Sequence, residues 1–362
     1  MTAYGPRSHP GRGVGPRATV ALVAAALVAL AGCTGQSPDA TAPTDSTATG
    51  VPTSGTVPTG GEATGATGDQ ADPEPTAPPA TSEPPPDDTG VTTAPSQAQE
   101  LPRGGTQIFP TYRLFGYSGL PGSPGMGRMG IGDLDERVEE MEERGAEYAG
   151  ERELLPVLEL IATVVHASPG SDGTYRTYIP EEVIQDHLDA ARRHDGILLL
   201  NIQPGRADFI DEVRHYEKWL VEPDVGVALD PEWAVEEGQV PGQVYGRTTG
   251  EELDEVATYL SELVAENALP EKVMVYHQVH AGVVRDEGDL EPHDGVVQIK
   301  SVDGIGAPYD KIKTYDLVME GTPEHVVPGF KLFYEEDAEL GPIMTGDEVL
   351  SLDPEPEYIL FE

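Results

Sequence analysis

The sequence of 362 residues contains a single cysteine, Cys33. One thiol cannot form an intramolecular disulfide, and it cannot supply the several sulfur ligands of a cysteine-rich metal site. Basic side chains are also scarce, since 22 lysines and arginines stand against 64 aspartates and glutamates. The resulting negative electrostatic field repels nucleic-acid phosphates and anionic lipid headgroups, so we expect neither as a direct partner. Neutral ligands and cations stay open, and simple solubility is the alternative explanation of the charge.

No apolar run is long enough for a membrane-spanning helix. The longest covers residues 18–31, about 14 residues against the roughly 20 that a spanning helix needs. It follows three arginines, which is the pattern of an export signal. The run ends in Leu30-Ala-Gly-Cys33, which resembles the lipobox of bacterial lipoproteins. That resemblance implies a signal peptide over 1–32, a lipid on Cys33 and an extracytoplasmic, membrane-anchored protein. A secretory signal with a chance cysteine is the alternative.

Large apolar and aromatic side chains are rare between residues 33 and 104, where proline, threonine, glycine and alanine dominate. A segment of this composition cannot bury enough surface to offset the entropy lost on ordering. We therefore predict a disordered tether over 33–104 and one folded, monomeric domain over 105–362.

The presumed folded part alternates apolar, β-rich runs with amphipathic segments. Eight strands that alternate with helices over about 260 residues predict an α/β fold of the (β/α)8 barrel type, without an eighth helix. An open doubly wound sheet is the alternative. The predicted strands are 112–117, 156–164, 197–203, 225–230, 273–278, 296–303, 330–334 and 358–361, and the predicted helices are 133–149, 180–194, 209–220, 250–267, 308–319 and 346–350.

The sharpest local motif is Ala228-Leu-Asp-Pro-Glu-Trp233, at the end of the fourth predicted strand. Side chains alternate between the faces of a strand, so Asp230 and Glu232 share one face. In glycoside hydrolysis one carboxylic acid protonates the leaving oxygen and a second carboxylate acts as nucleophile or base. We therefore predict Asp230 and Glu232 as a catalytic pair, with Trp233 stacked on a sugar face. The structural alternative is an ion pair of Glu232 with Arg206 or Arg247.

The strand-four Asp-x-Glu also resembles the arrangement in family 18 chitinase-like barrels, and that resemblance implies a carbohydrate substrate. The sequence departs from that family, because the longer Asp-x-x-Asp-x-Asp-x-Glu run is absent. Val225-Gly-Val-Ala stands where the family has its earlier acids.

Other predicted strands carry polar side chains toward the same end, where the chemistry of barrel enzymes gathers. Because side chains alternate between the two faces of a strand, Glu159 and Thr163 are expected on one face of the second strand, and Asn201 and Gln203 on one face of the third. Arg206 follows in a Pro-Gly turn that would present a guanidinium to a polyhydroxylated ligand, or would bond to local carbonyls instead. The predicted substrate-binding residues are Glu159, Asn201, Gln203, Arg206, Trp233, His277, Asp303 and Lys331.

His277 ends the fifth predicted strand and Asp303 ends the sixth. A histidine at that place is a general base, a hydrogen-bond donor to sugar, a metal ligand or a residue bonded at the rim. No H-x-H or H-E-x-x-H signature is present, so we predict neither a bound metal nor a cofactor.

From residue 156 onward the pattern resembles a group of exported, mostly actinobacterial proteins with a barrel-like domain. The resemblance implies the domain and supplies no reaction. It is carried by Leu158-Glu-Leu-Ile-Ala-Thr163, Asn201-Ile-Gln-Pro-Gly-Arg206, Ala228-Leu-Asp-Pro-Glu-Trp233, Val275-Tyr-His-Gln278, Asp303-Gly-Ile-Gly306 and Gly329-Phe-Lys-Leu-Phe333.

Three functional hypotheses follow from these residues. The first is a hydrolase of cell-envelope or environmental glycans that uses Asp230 and Glu232. The second is a non-catalytic barrel that binds a glycan or small ligand at the cell surface. The third is a metal-dependent hydrolase that uses His277, Asp230 and Asp303.

Overall fold

A computed structural model describes residues 99–362, and these residues contain a closed barrel of eight parallel strands. The first strand pairs with both the second and the last, which closes the sheet. This closure confirms the predicted (β/α)8 barrel, and the open-sheet alternative is wrong. The strands are β1 Tyr112–Gly119, β2 Glu153–Val165, β3 Ile197–Ile202, β4 Val225–Leu229, β5 Lys272–Gln278, β6 Val296–Val302, β7 Val327–Leu332 and β8 Tyr358–Phe361.

Helices connect most of these strands on the outside of the barrel. The predicted helix over 209–220 is two helices, because Tyr216 leaves the helical region with φ −95° and ψ 10°. The short helix Glu336–Leu340 was not predicted. The helices are α1 Leu134–Gly145, α2 Glu181–Arg193, α3 Phe209–His215, α4 Glu217–Leu220, α5 Gly250–Asn267, α6 Pro308–Met319, α7 Glu336–Leu340 and α8 Gly346–Leu350.

Local sequence fixes where several helices begin. The hydroxyl of Thr249 accepts a hydrogen bond from the Glu252 amide, and the Glu252 carboxylate accepts one from the Thr249 amide, which forms a capping box at α5. Thr345 and Glu348 repeat that arrangement at α8. These reciprocal bonds satisfy amide groups that have no partner within the helix.

The hydrophobic core has two parts, separated by the wall of the barrel. Val225, Val227 and Leu229 face outward and pack under the helices, whereas Ala228 faces the barrel interior. This is the alternation that the sequence predicts for β4. The inner core is aliphatic toward the N-terminal ends of the strands, with Leu114, Leu155, Val157, Leu199, Val273, Val275, Ile299 and Leu360.

An irregularity in β2 reverses the predicted alternation near its end. The register with β3 shifts between Ile161 and Thr163, and a short antiparallel strand, Arg176–Tyr178, pairs with the same stretch. The Thr163 hydroxyl lies 2.9 Å from the hydroxyl of Tyr216, beside the helices. The prediction that Thr163 shares a face with Glu159 is therefore wrong, because the extra residue of a bulge changes the side on which later residues lie.

The folded domain begins before the predicted boundary. Leu101 is buried in the inner core, and the Gln99 amide donates to the Ala268 carbonyl. The segment 99–104, which the sequence assigns to the tether, thus packs on the barrel. Within the described residues no helix is both long and apolar enough to cross a membrane. The predicted signal peptide, the lipidation site at Cys33 and the rest of the tether lie outside the described residues.

Candidate functional site

Five charged side chains meet inside the barrel at the C-terminal ends of its strands. We call Glu159, Asp230, His277, Asp303 and Lys331 the interior charge cluster. Each is buried, with at most 7% of its surface exposed. The closed parallel sheet brings them together, since β2, β5 and β7 supply three of them and the residues that follow β4 and β6 supply the other two. The sequence predicted all five at this end of the barrel.

His277 occupies the centre of the cluster. Its Nδ1 lies 2.8 Å from Asp303 Oδ2, and its Nε2 lies 3.3 Å from Glu159 Oε1 and 3.9 Å from Asp230 Oδ1. Burial disfavours a charged imidazole, but Asp303 and Glu159 outweigh burial and raise the pKa of His277 well above its ordinary value. This environment therefore favours the imidazolium form of His277, among three carboxyl groups.

Lys331 supplies the second cation of the site. Its ammonium lies 3.2 Å from Asp303 Oδ2 and 2.5 Å from Glu362 Oε2. Burial opposes the charge, but Glu362 and Asp303 raise the pKa of Lys331 well above its ordinary value. The Ser118 hydroxyl also donates to Glu362, at 3.3 Å. A lysine held in this way is a fixed positive charge and not a free amine nucleophile.

Amide side chains orient two carboxylates of the interior charge cluster. Asn201 donates from one nitrogen to Glu159 Oε1 and to Asp230 Oδ1, at 3.1 Å each. The two oxygens therefore lie at most twice that distance apart, about 6.2 Å. Gln203 donates to Asp230 at 3.4 Å, and the Tyr358 hydroxyl donates to Glu159 at 2.6 Å. Both carboxylate oxygens of Glu159 thus accept a hydrogen bond, and Asp230 is the more exposed of the two residues.

The pKa values of these two carboxyl groups shift in opposite directions. Burial raises the pKa of Asp230 to about 6, although His277 and Lys331 oppose that rise. Burial alone would raise the pKa of Glu159 too, but His277 outweighs it with help from Lys331 and Tyr358, so the pKa is lowered. Near neutral pH Glu159 is ionised, and Asp230 titrates in the range where enzymes operate.

Glu232 lies two residues beyond Asp230, in the 3-10 helix Pro231–Trp233. Its side chain is half-buried, and its Oε2 is buried without a hydrogen-bond partner. Burial, with Asp230 and Asp303 nearby, raises the pKa of Glu232 well above its ordinary value. The neutral acid is therefore the favoured form in this environment.

The predicted structural alternative for Glu232 does not form among the described residues. Arg206 donates instead to the Gln239 carbonyl and stacks over the ring of Tyr175, 4.3 Å from its centroid. Arg247 lies 3.9 Å from a carboxylate oxygen of Glu236. Neither arginine neutralises Glu232.

Two predicted substrate-binding residues lie apart from the interior charge cluster. Arg206 lines a surface pocket of about 540 Å³ between the loops that follow β3 and β4, and neither Asp230 nor Glu232 lines that pocket. Trp233 is half-buried beside Glu232. The other predicted residues, Glu159, Asn201, Gln203, His277, Asp303 and Lys331, come together in the barrel.

Three contributors to the site were not predicted. Tyr358 and Glu362 belong to the last strand and the residue that follows it, and Ser301 donates to Asp303 Oδ1 at 2.8 Å. Alternation along β8 would have placed Tyr358, Leu360 and Glu362 on one face. That signal was present in the sequence, but the strand is too short for its inward face to be recognised by pattern alone.

In residues 99–362 no three histidine, cysteine, aspartate or glutamate side chains are grouped as metal ligands would be. His277 is already flanked by Asp303 and Glu159 through its two ring nitrogens. The geometry therefore gives the metal-dependent hypothesis no support.

These features define an α/β protein of the TIM-barrel class with a charged site at the C-terminal end of its strands. No family model matches the chain, and no curated protein is significantly similar to it in sequence. Among solved structures it is similar to a sugar phosphate isomerase/epimerase from Parabacteroides distasonis, at 11% identity and a TM-score of 0.34. The match covers 75% of this chain and 89% of that chain. A likeness at this level says nothing about activity.

Proposed function

We propose that the barrel hydrolyses glycosidic bonds with Glu232 as general acid and Asp230 as the catalytic carboxylate. The observation that carries the proposal is the unpartnered, buried Oε2 of Glu232, two residues from Asp230 at the end of a barrel strand. A carboxyl group in that state is a proton donor without a competing protein acceptor. Glycosidases need such an acid together with an ionised carboxylate.

The difference in protonation between the two acids supports the assignment of roles. Burial favours the protonated form of Glu232, and the pKa of Asp230, about 6, leaves it largely ionised at neutral pH. Two carboxyl groups whose environments set different charge states are the arrangement that acid and carboxylate catalysis require. Asn201 and Gln203 would hold Asp230 in place through their amides.

The positive charges beneath Asp230 support the same roles. His277 Nε2 lies 3.9 Å from Asp230, and Lys331 opposes the rise in the pKa of Asp230. Both cations favour a carboxylate that the buried position alone would neutralise. Glu159 shares the Asn201 amide with Asp230, but it is 1% exposed and both of its carboxylate oxygens accept hydrogen bonds. We therefore assign Glu159 a positioning role and not a catalytic one.

We also propose that the protein is exported and anchored through a lipid on Cys33. The lipobox-like Leu30-Ala-Gly-Cys33 and the composition of the tether support this. Such an anchor would place the barrel outside the membrane, where polymeric glycans are accessible to it. Metabolic labelling with an alkyne fatty acid should mark the parent protein and not the Cys33→Ser variant.

Turnover is tested by incubating the purified protein with a panel of envelope and plant polysaccharides and measuring new reducing ends. We expect release of oligosaccharides, and we expect Glu232→Gln and Asp230→Asn to lower kcat by about 10²–10⁴-fold. Glu236→Gln is the matched control, since this exposed residue of the same loop pairs with arginines and lies outside the cluster. Binding of a polysaccharide without turnover would refute the hydrolase hypothesis and support the hypothesis of a non-catalytic, glycan-binding barrel.

A further inference from the structure

An exposed aromatic pair stands beside the proposed acid. We propose that Tyr245, supported by His280, is a platform on which an uncharged sugar ring stacks next to Glu232. This inference rests on the proposed function, because it specifies the substrate class of the same site. Tyr245 belongs to the loop that follows β4, and His280 belongs to the loop that follows β5.

Backbone hydrogen bonds fix the two residues after Tyr245 against the segment that carries the candidate acid. The Gly246 amide donates to the Glu232 carbonyl at 2.6 Å, and the Arg247 amide donates to the Ala234 carbonyl at 2.8 Å. Gly246 packs so closely on Ala234 that a Cβ atom at Gly246 would overlap it. Segment 245–247 therefore runs directly alongside segment 232–234, and Tyr245 adjoins the residue that is bonded to Glu232.

The partner ring is also held in a defined orientation. His280 Nδ1 accepts a hydrogen bond from the Gly282 amide at 2.9 Å. Burial lowers the pKa of His280, so its ring is neutral near pH 7. The rings of Tyr245 and His280 meet edge to face, with centroids 5.2 Å apart and an interplanar angle of 81°. An edge-to-face contact of this kind restricts the orientation of both rings.

Exposure distinguishes Tyr245 from the other aromatic side chains. Among the tyrosine, tryptophan and phenylalanine side chains that the structure describes, only Tyr245 and Tyr309 have a large exposed fraction, 45% and 76%. Tyr309 lies on α6, the helix that follows β6. An exposed ring on a bonded backbone presents an apolar face at small entropic cost, which suits the C–H face of a sugar.

Charge near the platform indicates which sugars fit. Glu251 and Glu252 are the acids closest to Tyr245 in sequence. The two nearby arginines both face Glu236, with Arg247 at 3.9 Å and Arg285 at 3.7 Å. Both arginines therefore share one acidic partner. The chain as a whole carries a net charge of −42. The platform therefore favours neutral over anionic sugars.

The test measures binding separately from turnover. The full chain with Glu232→Gln is titrated calorimetrically with cellohexaose, laminarihexaose, chitohexaose, mannohexaose and, as the anionic probe, hexagalacturonic acid. We expect at least one neutral hexasaccharide to bind and the anionic probe not to bind. Adding Tyr245→Ala should weaken that binding about tenfold, whereas Tyr245→Phe, which keeps the ring, and Tyr309→Ala should leave it unchanged.

The outcomes separate the platform from the hydrolase. Binding that depends on Tyr245 in a protein that never releases reducing ends would support the platform and refute the hydrolase. A hydrolytic protein whose KM is the same with Tyr245→Ala would refute the platform alone. Preferential binding of hexagalacturonic acid, or no binding of any probe, would overturn the platform. Circular dichroism of each variant verifies that loss of binding is not loss of folding.

Discussion

Replacing Asp230 with asparagine should stabilise the barrel at neutral pH while removing its activity. The pKa of Asp230 rises from 3.8 to about 6 on folding, because burial disfavours the carboxylate. A shift of one pKa unit corresponds to about 1.36 kcal/mol, so ionised Asp230 costs about 3 kcal/mol of folding free energy above pH 6. An asparagine of nearly the same shape carries no charge and avoids that cost.

Hydrogen bonds to Asp230 reduce the gain in stability that is expected from Asp230→Asn. Asn201 and Gln203 both donate to Asp230, and an asparagine offers one acceptor oxygen where the carboxylate offers two. The loss of one such bond costs about 1 kcal/mol. We therefore expect Asp230→Asn to raise the free energy of unfolding by about 2 kcal/mol at pH 7.5.

The pH dependence of the gain follows from the direction of the shift. Between pH 3.8 and about 6 the folded state binds more protons at Asp230 than the unfolded state does. The parent protein consequently loses stability as the pH rises through that window, and the variant does not. The difference between variant and parent should be absent or slightly negative at pH 3.8, and should reach its full positive value above pH 6.

Urea unfolding followed by circular dichroism, at several pH values from 4 to 8, measures this difference. Asp303→Asn is the matched control within the same cluster. Burial opposes the Asp303 charge, but His277 and Lys331 lower the pKa of Asp303 below its ordinary value, so this variant should lose stability above pH 3.8. The reasoning is refuted if Asp230→Asn is less stable than the parent at pH 7.5, or if its gain does not change with pH.

Three further predictions concern the other charged residues. Lys331→Met should lower the free energy of unfolding by about 3–5 kcal/mol, measured in urea at pH 7, because it removes the cation that Asp303 and Glu362 share; an unchanged midpoint would contradict this. Burial lowers the pKa of Lys272 to about 7, so the charged form is disfavoured, and Lys272→Met should gain stability relative to the parent as the pH falls from 9 to 6. For turnover, kcat/KM should rise through about pH 6 as Asp230 ionises and fall once Glu232 loses its proton, and a flat profile would contradict the assigned roles.

Sequence predicted the barrel and the five residues of the interior charge cluster because the alternation of side chains along a strand survives folding. Asp230 lies in the interior beyond Ala228, as parity along β4 predicts. The same rule failed at Thr163, because a bulge is a property of the pairing between two strands and leaves no mark in the spacing of one. The alternation of side chains therefore predicts their faces reliably only where the pairing register between neighbouring strands is regular.

Long-range bonds account for what sequence could not predict. Glu362 enters the site through Lys331, and Tyr358 does so through Glu159, across 31 and 199 residues of chain. Arg206 was predicted at the mouth, yet its guanidinium is bonded to the Gln239 carbonyl beside a separate pocket. Partners of this kind are set by closure of the barrel and by loop conformation, which local patterns do not encode.

The division of the barrel interior argues that stability does not explain the interior charge cluster. Toward the N-terminal ends of the strands the interior is aliphatic, as in Leu155 and Val275, and that packing stabilises the fold without charge. Toward the C-terminal ends three carboxyl groups and two cations replace it. Buried ion pairs are often no more stabilising than apolar residues of similar volume. An aliphatic layer there would serve stability at least as well, whereas only charged groups can set the protonation of Asp230 at the mouth.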